Sequence, residues 1–176
     1  MENLEALVKA LKSHTPQGVT LLEYEPMSRH TSFRIGGPVR LMAVAHGDVA
    51  GVAALLAEAH KQGVIPLLIG NGSDLLAPDQ GMDALVVKTT ASDLKVEGNT
   101  ITARSGALLS QLASYALDHG LTGLEFAHGI PGTVGGGVTM NAGAYGGELG
   151  RRVTEVLWLD RAGEEQVSQN ADCRFD

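Results

Sequence analysis

The chain has 176 residues and a formal net charge of −7, with 44% hydrophobic and 19% charged residues. This composition is typical of a folded globular protein rather than a disordered one, and an acidic chain without a basic stripe argues against nucleic acid as a partner. No apolar run approaches the ~18 residues that a membrane span needs, and the N-terminus lacks the basic and apolar regions of a signal peptide.

The first quarter of the chain combines a helix with an arm. Leucine and valine at helical spacing predict a short amphipathic helix over residues 3–13, ended by Pro16 and Gly18. We expect an extended arm to follow, running through 29–38.

Residues 39–74 read as a strand-helix-strand unit. Residues 39–45 show a loose alternation of side-chain character that predicts a strand. Asp48 is the expected N-cap of a helix to about Gln62. A buried strand at 66–69 then runs into the turn 70–74. This order predicts a parallel strand pair joined by a right-handed crossover.

The second half alternates strands, a helix and turns. Residues 84–87 predict a strand, and Gly98-Asn99 predicts the turn of a hairpin between 94–97 and 100–103. A helix is expected at about 107–119, and a last hairpin joins 153–159 to 164–168.

The stretch 123–147 is too apolar for a flexible linker and too rich in glycine for an ordinary core element. Glycine lets a ligand approach the main chain closely, so we interpret this stretch as a surface of backbone N–H groups for a flat or anionic ligand. Thr133 is expected to cap a short helix from Val134 to about Met140 and to direct its N-terminus towards an anion. The alternative is a glycine loop with a purely structural role.

The turn 70–74 resembles part of a dinucleotide-binding fingerprint. Gly70 and Gly72 fit G-x-G-x-x-G, but Leu75 stands where the third glycine belongs, which argues against a Rossmann site. No Gly-Lys-Ser/Thr follows, which excludes a P-loop. The turn either cradles a pyrophosphate with its N–H groups and the Ser73 hydroxyl or simply joins two strands.

Three segments together, Arg29–Pro38, Gly70–Leu76 and Gly123–Gly147, resemble in order and spacing the FAD-binding part of the UDP-N-acetylenolpyruvoylglucosamine reductase family. These flavoenzymes complete UDP-N-acetylmuramate synthesis for peptidoglycan. The resemblance implies an α+β fold with two subdomains, similar to that of the vanillyl-alcohol oxidase flavoproteins and not a Rossmann fold. It also implies FAD as cofactor, NADPH as hydride donor and a UDP-sugar as the substrate of the full enzyme.

The resemblance also implies a domain layout and a set of FAD-binding residues. An N-terminal helix and arm (1–20) would precede an FAD-binding domain (21–176), divided at about residue 90 into a first subdomain and an incomplete second one. The implied contacts form a first pyrophosphate loop, a second loop and a segment beside the flavin ring: Gly70, Asn71, Gly72, Ser73, Asp74; Gly129, Ile130, Gly132, Thr133, Gly135, Gly136; Asn141, Gly143, Ala144, Tyr145.

The chain departs from the family pattern in three ways. His30 and Asp74 each replace an asparagine, and the chain ends before the Tyr-Arg-x-Ser segment that carries the family's catalytic arginine. The catalytic serine and glutamate are also expected beyond Asp176, so we expect no catalytic residue in this chain, which would bind FAD without reducing substrate. Because ionised Asp only accepts hydrogen bonds, Asp74 is expected to turn away from the pyrophosphate and bond backbone N–H groups.

Two other functions stay open. The chain could be a flavin-binding module or subunit of a multi-subunit oxidoreductase, or a non-enzymatic remnant that binds no flavin.

The only cysteine, Cys173, excludes an internal disulfide and fits a cytoplasmic protein, and the lack of metal-ligand spacing argues against a metal site. Glu125 is expected to orient its loop by hydrogen bonds, and His128 either contacts FAD or faces water.

Overall fold

The computed structural model describes residues 2–47 and 49–175. The chain divides into two compact units: unit 1 comprises the described part of 1–90 with 158–166, and unit 2 comprises the described part of 91–157 and 167–176. No helix in the described ranges has the length and the apolar character that crossing a bilayer requires.

Unit 1 is built on a four-stranded sheet with two helices. The elements are α1 (Glu2–Ser13), β1 (Val19–Pro26), β2 (Pro38–Ala45), α2 (Val49–Lys61), β3 (Leu67–Ile69) and β4 (Met82–Thr89), with a 3₁₀ turn at Met27–Arg29. The strand order is β1-β2-β4-β3, in which β1 is antiparallel to β2 and the other neighbours are parallel.

The two faces of this sheet bury different clusters, because successive side chains of a strand point to opposite faces. Leu41 and Ala43 of β2 pack in one cluster with the apolar faces of α1 and α2. Met42 and Val44 pack in the other cluster with Met27 and Ala77. The helical spacing predicted for α1 is confirmed, since its three leucine side chains and its valine side chain are all buried.

The predicted pairing of the two strands that flank α2 is wrong. β4 lies between β2 and β3, because Leu85, Val86 and Val87 of β4 are fully buried and occupy the interior of the sheet. β3 is a three-residue edge strand on which Leu67 and Leu68 are exposed, so the prediction of a buried strand there is also wrong. The parallel direction of β2, β4 and β3 is as predicted.

The arm before residue 29 contains a strand that the sequence pattern does not predict. β1 pairs with β2 along its length, from Val19↔Ala45 to Pro26↔Pro38. The predicted N-cap Asp48 lies outside the described residues, and α2 begins at Val49.

Unit 2 is made of short elements around a small core. They are β5 (Leu94–Glu97), β6 (Thr100–Ala103), α3 (Leu109–Asp118), α4 (Val134–Thr139), β7 (Gly143–Ala144) and β8 (Gly147–Glu148). Short 3₁₀ turns lie at Glu125–Gly129, Leu149–Arg151 and Asn170–Asp172. The core contains Leu109, Ala113, Phe126, Ala127 and Leu149.

Two predicted hairpins are confirmed. β5 and β6 pair through Glu97↔Thr100 around Gly98, whose φ is +60°. The last hairpin consists of β9 (Glu155–Leu159) and β10 (Glu165–Gln169), and its tip belongs to unit 1.

Candidate functional site

Loop 1, residues 70–74, follows β3 in unit 1 and is held by the segment 30–32. The Ser32 N–H donates to the Gly72 carbonyl oxygen over 3.0 Å. Gly72 is buried with φ +63°, and a Cβ at this position would clash with the carbonyl oxygen of His30. Only glycine fits this close approach, which fixes the course of the loop.

The backbone donors of loop 1 are not used within the described protein. Within the described ranges, the backbone N–H groups of residues 71–74 donate no hydrogen bond to the protein. Backbone N–H groups presented by a turn form a concave site for an anion. The donor set of loop 1 therefore fits a pyrophosphate.

Asp74 differs from its expected arrangement. Its side chain is exposed, and no N–H group of a described residue donates to its carboxylate. The prediction that it bonds backbone N–H groups is therefore wrong. The loop is tied to the protein instead through Gly72.

Loop 2, residues 129–136, lies in unit 2 and is anchored at several points. The N–H groups of Leu109 and Val134 bond the carbonyl oxygens of Gly132 and Ala107 across an isolated bridge between Leu108 and Thr133. Thr133 then caps α4 as predicted, because its buried hydroxyl accepts from the Gly136 N–H over 3.4 Å.

Most donors of loop 2 are used inside the protein. The N–H groups of Ile130, Gly132 and Gly135 bond carbonyl oxygens of unit 2, and Gly135 packs so closely on Ser105 that a Cβ would lie 2.8 Å from the serine Cβ. The Thr133 N–H has no acceptor among the described residues. Loop 2 therefore offers fewer backbone donors than loop 1.

The third predicted segment, 141–145, forms one strand and half the turn of a small hairpin. β7 and β8 pair through Ala144↔Gly147, and the two turn residues Tyr145 and Gly146 have φ of +53° and +82°. This is the conformation of a tight two-residue hairpin turn. The Tyr145 side chain at the tip is 97% exposed.

This hairpin borders a cavity of about 390 Å³ within unit 2. Tyr145, Gly146 and Gly147 line it together with Gly123, Glu125, Phe126 and Arg152. Both carboxylate oxygens of Glu125 accept from the Gly123 N–H, at 3.0 and 2.9 Å. This hydrogen bond, helped by the charge of Arg152, lowers the pKa of Glu125. The prediction that Glu125 orients its loop by hydrogen bonds is confirmed.

His128 does not line this cavity. Its exposed side chain borders a separate, more open groove with Ser92, Gln111 and Tyr115. The structure places loop 2 and the hairpin in unit 2 and loop 1 in unit 1.

Two polar networks that no sequence motif predicts lie beside the predicted segments. In unit 1, Glu25, His30 and Lys88 form a chain of contacts next to loop 1. In unit 2, Asn170 Nδ2 donates to the carbonyl oxygens of Gly150 and Val153, both at 2.7 Å. The only sequence signal for the first network is a lysine that follows the apolar run of β4.

Comparison with known proteins shows which family this chain matches. A family model described as "FAD binding domain" matches residues 41–168. UDP-N-acetylenolpyruvoylglucosamine reductase of Caldanaerobacter subterraneus subsp. tengcongensis is 42% identical over 172 residues, which cover 97% of this chain and 56% of the relative. The chain thus spans about half the length of the curated relatives it matches.

Solved structures show the same fold. UDP-N-acetylenolpyruvylglucosamine reductase from Thermus caldophilus superposes with a TM-score of 0.69 at 27% identity, covering 87% of this chain and 53% of that one. Glucooligosaccharide oxidase from Acremonium strictum, which carries a 6-S-cysteinyl, 8α-N1-histidyl FAD, superposes with a TM-score of 0.64 at 15% identity, covering 97% and 37%. The latter likeness concerns the fold alone.

The structural matches confirm the predicted fold class, a mixed α and β FAD-binding fold of the vanillyl-alcohol oxidase type. The family model confirms FAD as the cofactor. The unused N–H groups of loop 1 are compatible with the pyrophosphate of such a cofactor. The chain belongs to the FAD binding domain family, and within it the chain is similar to the UDP-N-acetylenolpyruvoylglucosamine reductases.

Proposed function

We propose that this chain is the FAD-binding part of an NADPH-dependent UDP-N-acetylenolpyruvoylglucosamine reductase acting in peptidoglycan synthesis. The observation that carries the proposal is the 42% identity over 97% of the chain to a relative of that name. The FAD, when bound, supplies the hydride-transfer chemistry, and the protein supplies binding and orientation.

The proposed role of loop 1 is to hold the pyrophosphate. The N–H groups of Asn71, Gly72, Ser73 and Asp74 donate to phosphate oxygens, and the Ser73 hydroxyl adds another donor. Gly70 links these donors to the end of β3. The support is that none of the N–H groups of residues 71–74 donates a hydrogen bond to the described part of the protein.

We propose that loop 2 donates fewer hydrogen bonds to FAD than loop 1 does, and that it contributes mainly a backbone surface that fits the cofactor. The Thr133 N–H is its available donor, and Gly129 and Gly136 keep its surface low, since a Cβ at Gly129 would meet no atom within 4 Å. Ile130, Gly132 and Gly135 maintain the backbone through their internal hydrogen bonds.

The segment beside the flavin ring is proposed to comprise Asn141, Gly143, Ala144 and Tyr145. Asn141 Oδ1 accepts from the Gly150 N–H over 2.8 Å, which holds the segment to the 3₁₀ turn at Leu149–Arg151. The exposed Tyr145 ring supplies a flat apolar surface at the rim of the 390 Å³ cavity.

We also propose that residues 21–90 and 91–176 act as the two FAD-binding subdomains, and that the protein works in the cytoplasm. A chain with a single cysteine fits a reducing compartment. Because the chain spans about half of its relatives, we propose that the UDP-sugar and the catalytic groups need the other half, so that this chain alone does not turn over substrate.

The test is to titrate the purified chain with FAD and then to add NADPH and the enolpyruvyl UDP-sugar. We expect saturable FAD binding and no consumption of substrate. Turnover by the 176-residue chain would contradict the proposal that this chain alone does not act on the substrate. A folded chain that binds no FAD would contradict the proposed function itself.

A further inference from the structure

A chain of three polar side chains in unit 1 joins strands β1 and β4. His30 Nε2 lies 3.0 Å from Glu25 Oε1, and Lys88 Nζ lies 3.4 Å from His30 Nδ1. A lysine ammonium can only donate, so a hydrogen bond from Lys88 to the ring uses the lone pair of Nδ1 and leaves Nε2 to donate to Glu25. The imidazole lies between the lysine and the carboxylate.

This chain of contacts borders loop 1. Lys88 is in register with Ile69, and Gly70 follows Ile69 directly. The backbone of His30 contacts Gly72, because a Cβ added there would clash with the His30 carbonyl oxygen. The same side chain that holds Lys88 therefore belongs to the residue that supports loop 1.

Lys88 has no anionic partner of its own. In the described ranges it forms no ion pair with a carboxylate, and its side-chain contact is the ring of His30. Partial burial without a counter-charge lowers the pKa of Lys88. A half-buried ammonium is stabilised when an anion approaches it.

The ligand of loop 1 brings such an anion. A pyrophosphate diester carries two negative charges, whereas residues 70–74 hold no cation and expose the carboxylate of Asp74. We propose that Lys88 supplies the positive charge that holds the FAD pyrophosphate at loop 1, and that His30 and Glu25 are positioning residues that orient it. This inference rests on the proposed FAD binding.

The test compares three variants of the full chain by FAD titration and by thermal unfolding without FAD. Lys88→Met removes the charge, Lys88→Arg keeps it, and Lys61→Met is the matched control. Lys61 is an exposed lysine of α2 paired with Glu58, so its removal changes the net charge equally.

We expect Lys88→Met to weaken FAD binding about tenfold, as the loss of one charge-assisted interaction does. Its unfolding midpoint without FAD should stay the same or rise, because the variant removes a partly buried charge that has no counter-ion. Lys88→Arg should remain within about threefold of the wild type, and Lys61→Met should bind like the wild type. A purely structural role for Lys88 would lower stability and affinity together.

A double variant tests the positioning by His30. His30→Ala should weaken FAD binding less than Lys88→Met, and the combination should be no weaker than Lys88→Met alone, since His30 acts through Lys88. Wild-type affinity in Lys88→Met, or equal losses in Lys88→Met and Lys88→Arg, would overturn the inference while leaving FAD binding intact. Absence of FAD binding by the wild type would overturn the proposed function and this inference with it.

Discussion

At the scale of single residues, Gly72 shows how a side chain of one hydrogen fixes loop 1. Its φ of +63° is rarely adopted by other residues, and its neighbour is the rigid carbonyl group of His30. The sequence indicates a glycine turn here, but the reason for this particular glycine is a contact with His30, which lies 42 positions earlier in the chain. That contact becomes visible only in the folded chain.

Replacing Gly72 with alanine should displace loop 1. We expect Gly72→Ala to lower FAD affinity by at least about tenfold, since the clash is with main-chain atoms that cannot rotate away. Isothermal titration with FAD measures the change. Gly18→Ala is the matched control, because Gly18 has φ +72° but no atom within 4 Å of an added Cβ. It should destabilise the fold by ~1 kcal/mol and leave FAD affinity unchanged; equal losses in both variants would refute the clash.

Glu125 gives a prediction for acid pH. The Gly123 N–H lowers the pKa of this exposed carboxyl below its usual 4.5. Its contribution to stability is therefore present above the unfolded-state pKa and is lost as the pH falls through the folded-state value. Denaturant unfolding should show Glu125→Gln less stable than the wild type at neutral pH, with a difference that shrinks below about pH 4.5. A difference that does not depend on pH would show that the hydrogen bond does not favour the charged form.

At the scale of elements, the cap of α4 is a feature that local sequence predicts well. A threonine before a glycine-rich run indicates an N-cap, and Thr133 forms it. The helix itself is only six residues long and contains three glycines, so it depends on this cap and on the packing of Gly137 against Leu149 and Leu109.

Removing the cap should therefore loosen α4. Thr133→Val keeps the volume but loses the oxygen that accepts from the Gly136 N–H, and we expect a cost of about 1 kcal/mol in the free energy of unfolding. Thr133→Ser retains the oxygen and should recover most of that difference. Denaturant titration measures the free energy of unfolding of both variants. Equal stability of the two would exclude a capping role.

Asn170 is an element-scale support that no sequence pattern revealed. Its amide donates twice, to Gly150 and Val153, and Gly150 in turn donates to Asn141. Asn170→Asp replaces the donor by an acceptor that faces two carbonyl oxygens, so we expect a loss of about 2 kcal/mol in unfolding free energy. Asn99→Asp, in the exposed β5–β6 turn, should cost little. A small effect of Asn170→Asp would mean that the turn at Leu149–Arg151 holds without it.

Sequence periodicity predicts local elements here and fails for long-range order. The helices α1 and α3 and the turn at Gly98 follow from residues that are neighbours along the chain. The place of β4 between β2 and β3 depends on which strand is buried on both faces, and an apolar triplet such as Leu67-Leu68-Ile69 gives no signal that it lies at an edge. The contacts of Lys88 with His30 join residues 58 positions apart and are equally invisible to local patterns.

At the scale of the whole molecule, the family resemblance gives more than the physical reading of single motifs. Either loop alone left a plain glycine turn as an alternative. The order of three motifs over nearly the whole chain indicated the FAD-binding fold, and the family model over residues 41–168 confirms it. What the resemblance did not supply is how the donors are used: loop 1 keeps its N–H groups available, whereas loop 2 uses most of its own for folding.

The most direct measurement is an FAD titration of the purified 176-residue chain, followed by calorimetry and by the visible flavin spectrum, with circular dichroism to show that the chain is folded. We predict saturable binding of one FAD per chain, with a flavin spectrum that differs from that of free FAD and an affinity that Gly72→Ala lowers. A folded chain that shows no saturable binding, or one whose affinity is unaffected by Gly72→Ala, would contradict the assignment of loop 1 as a pyrophosphate site.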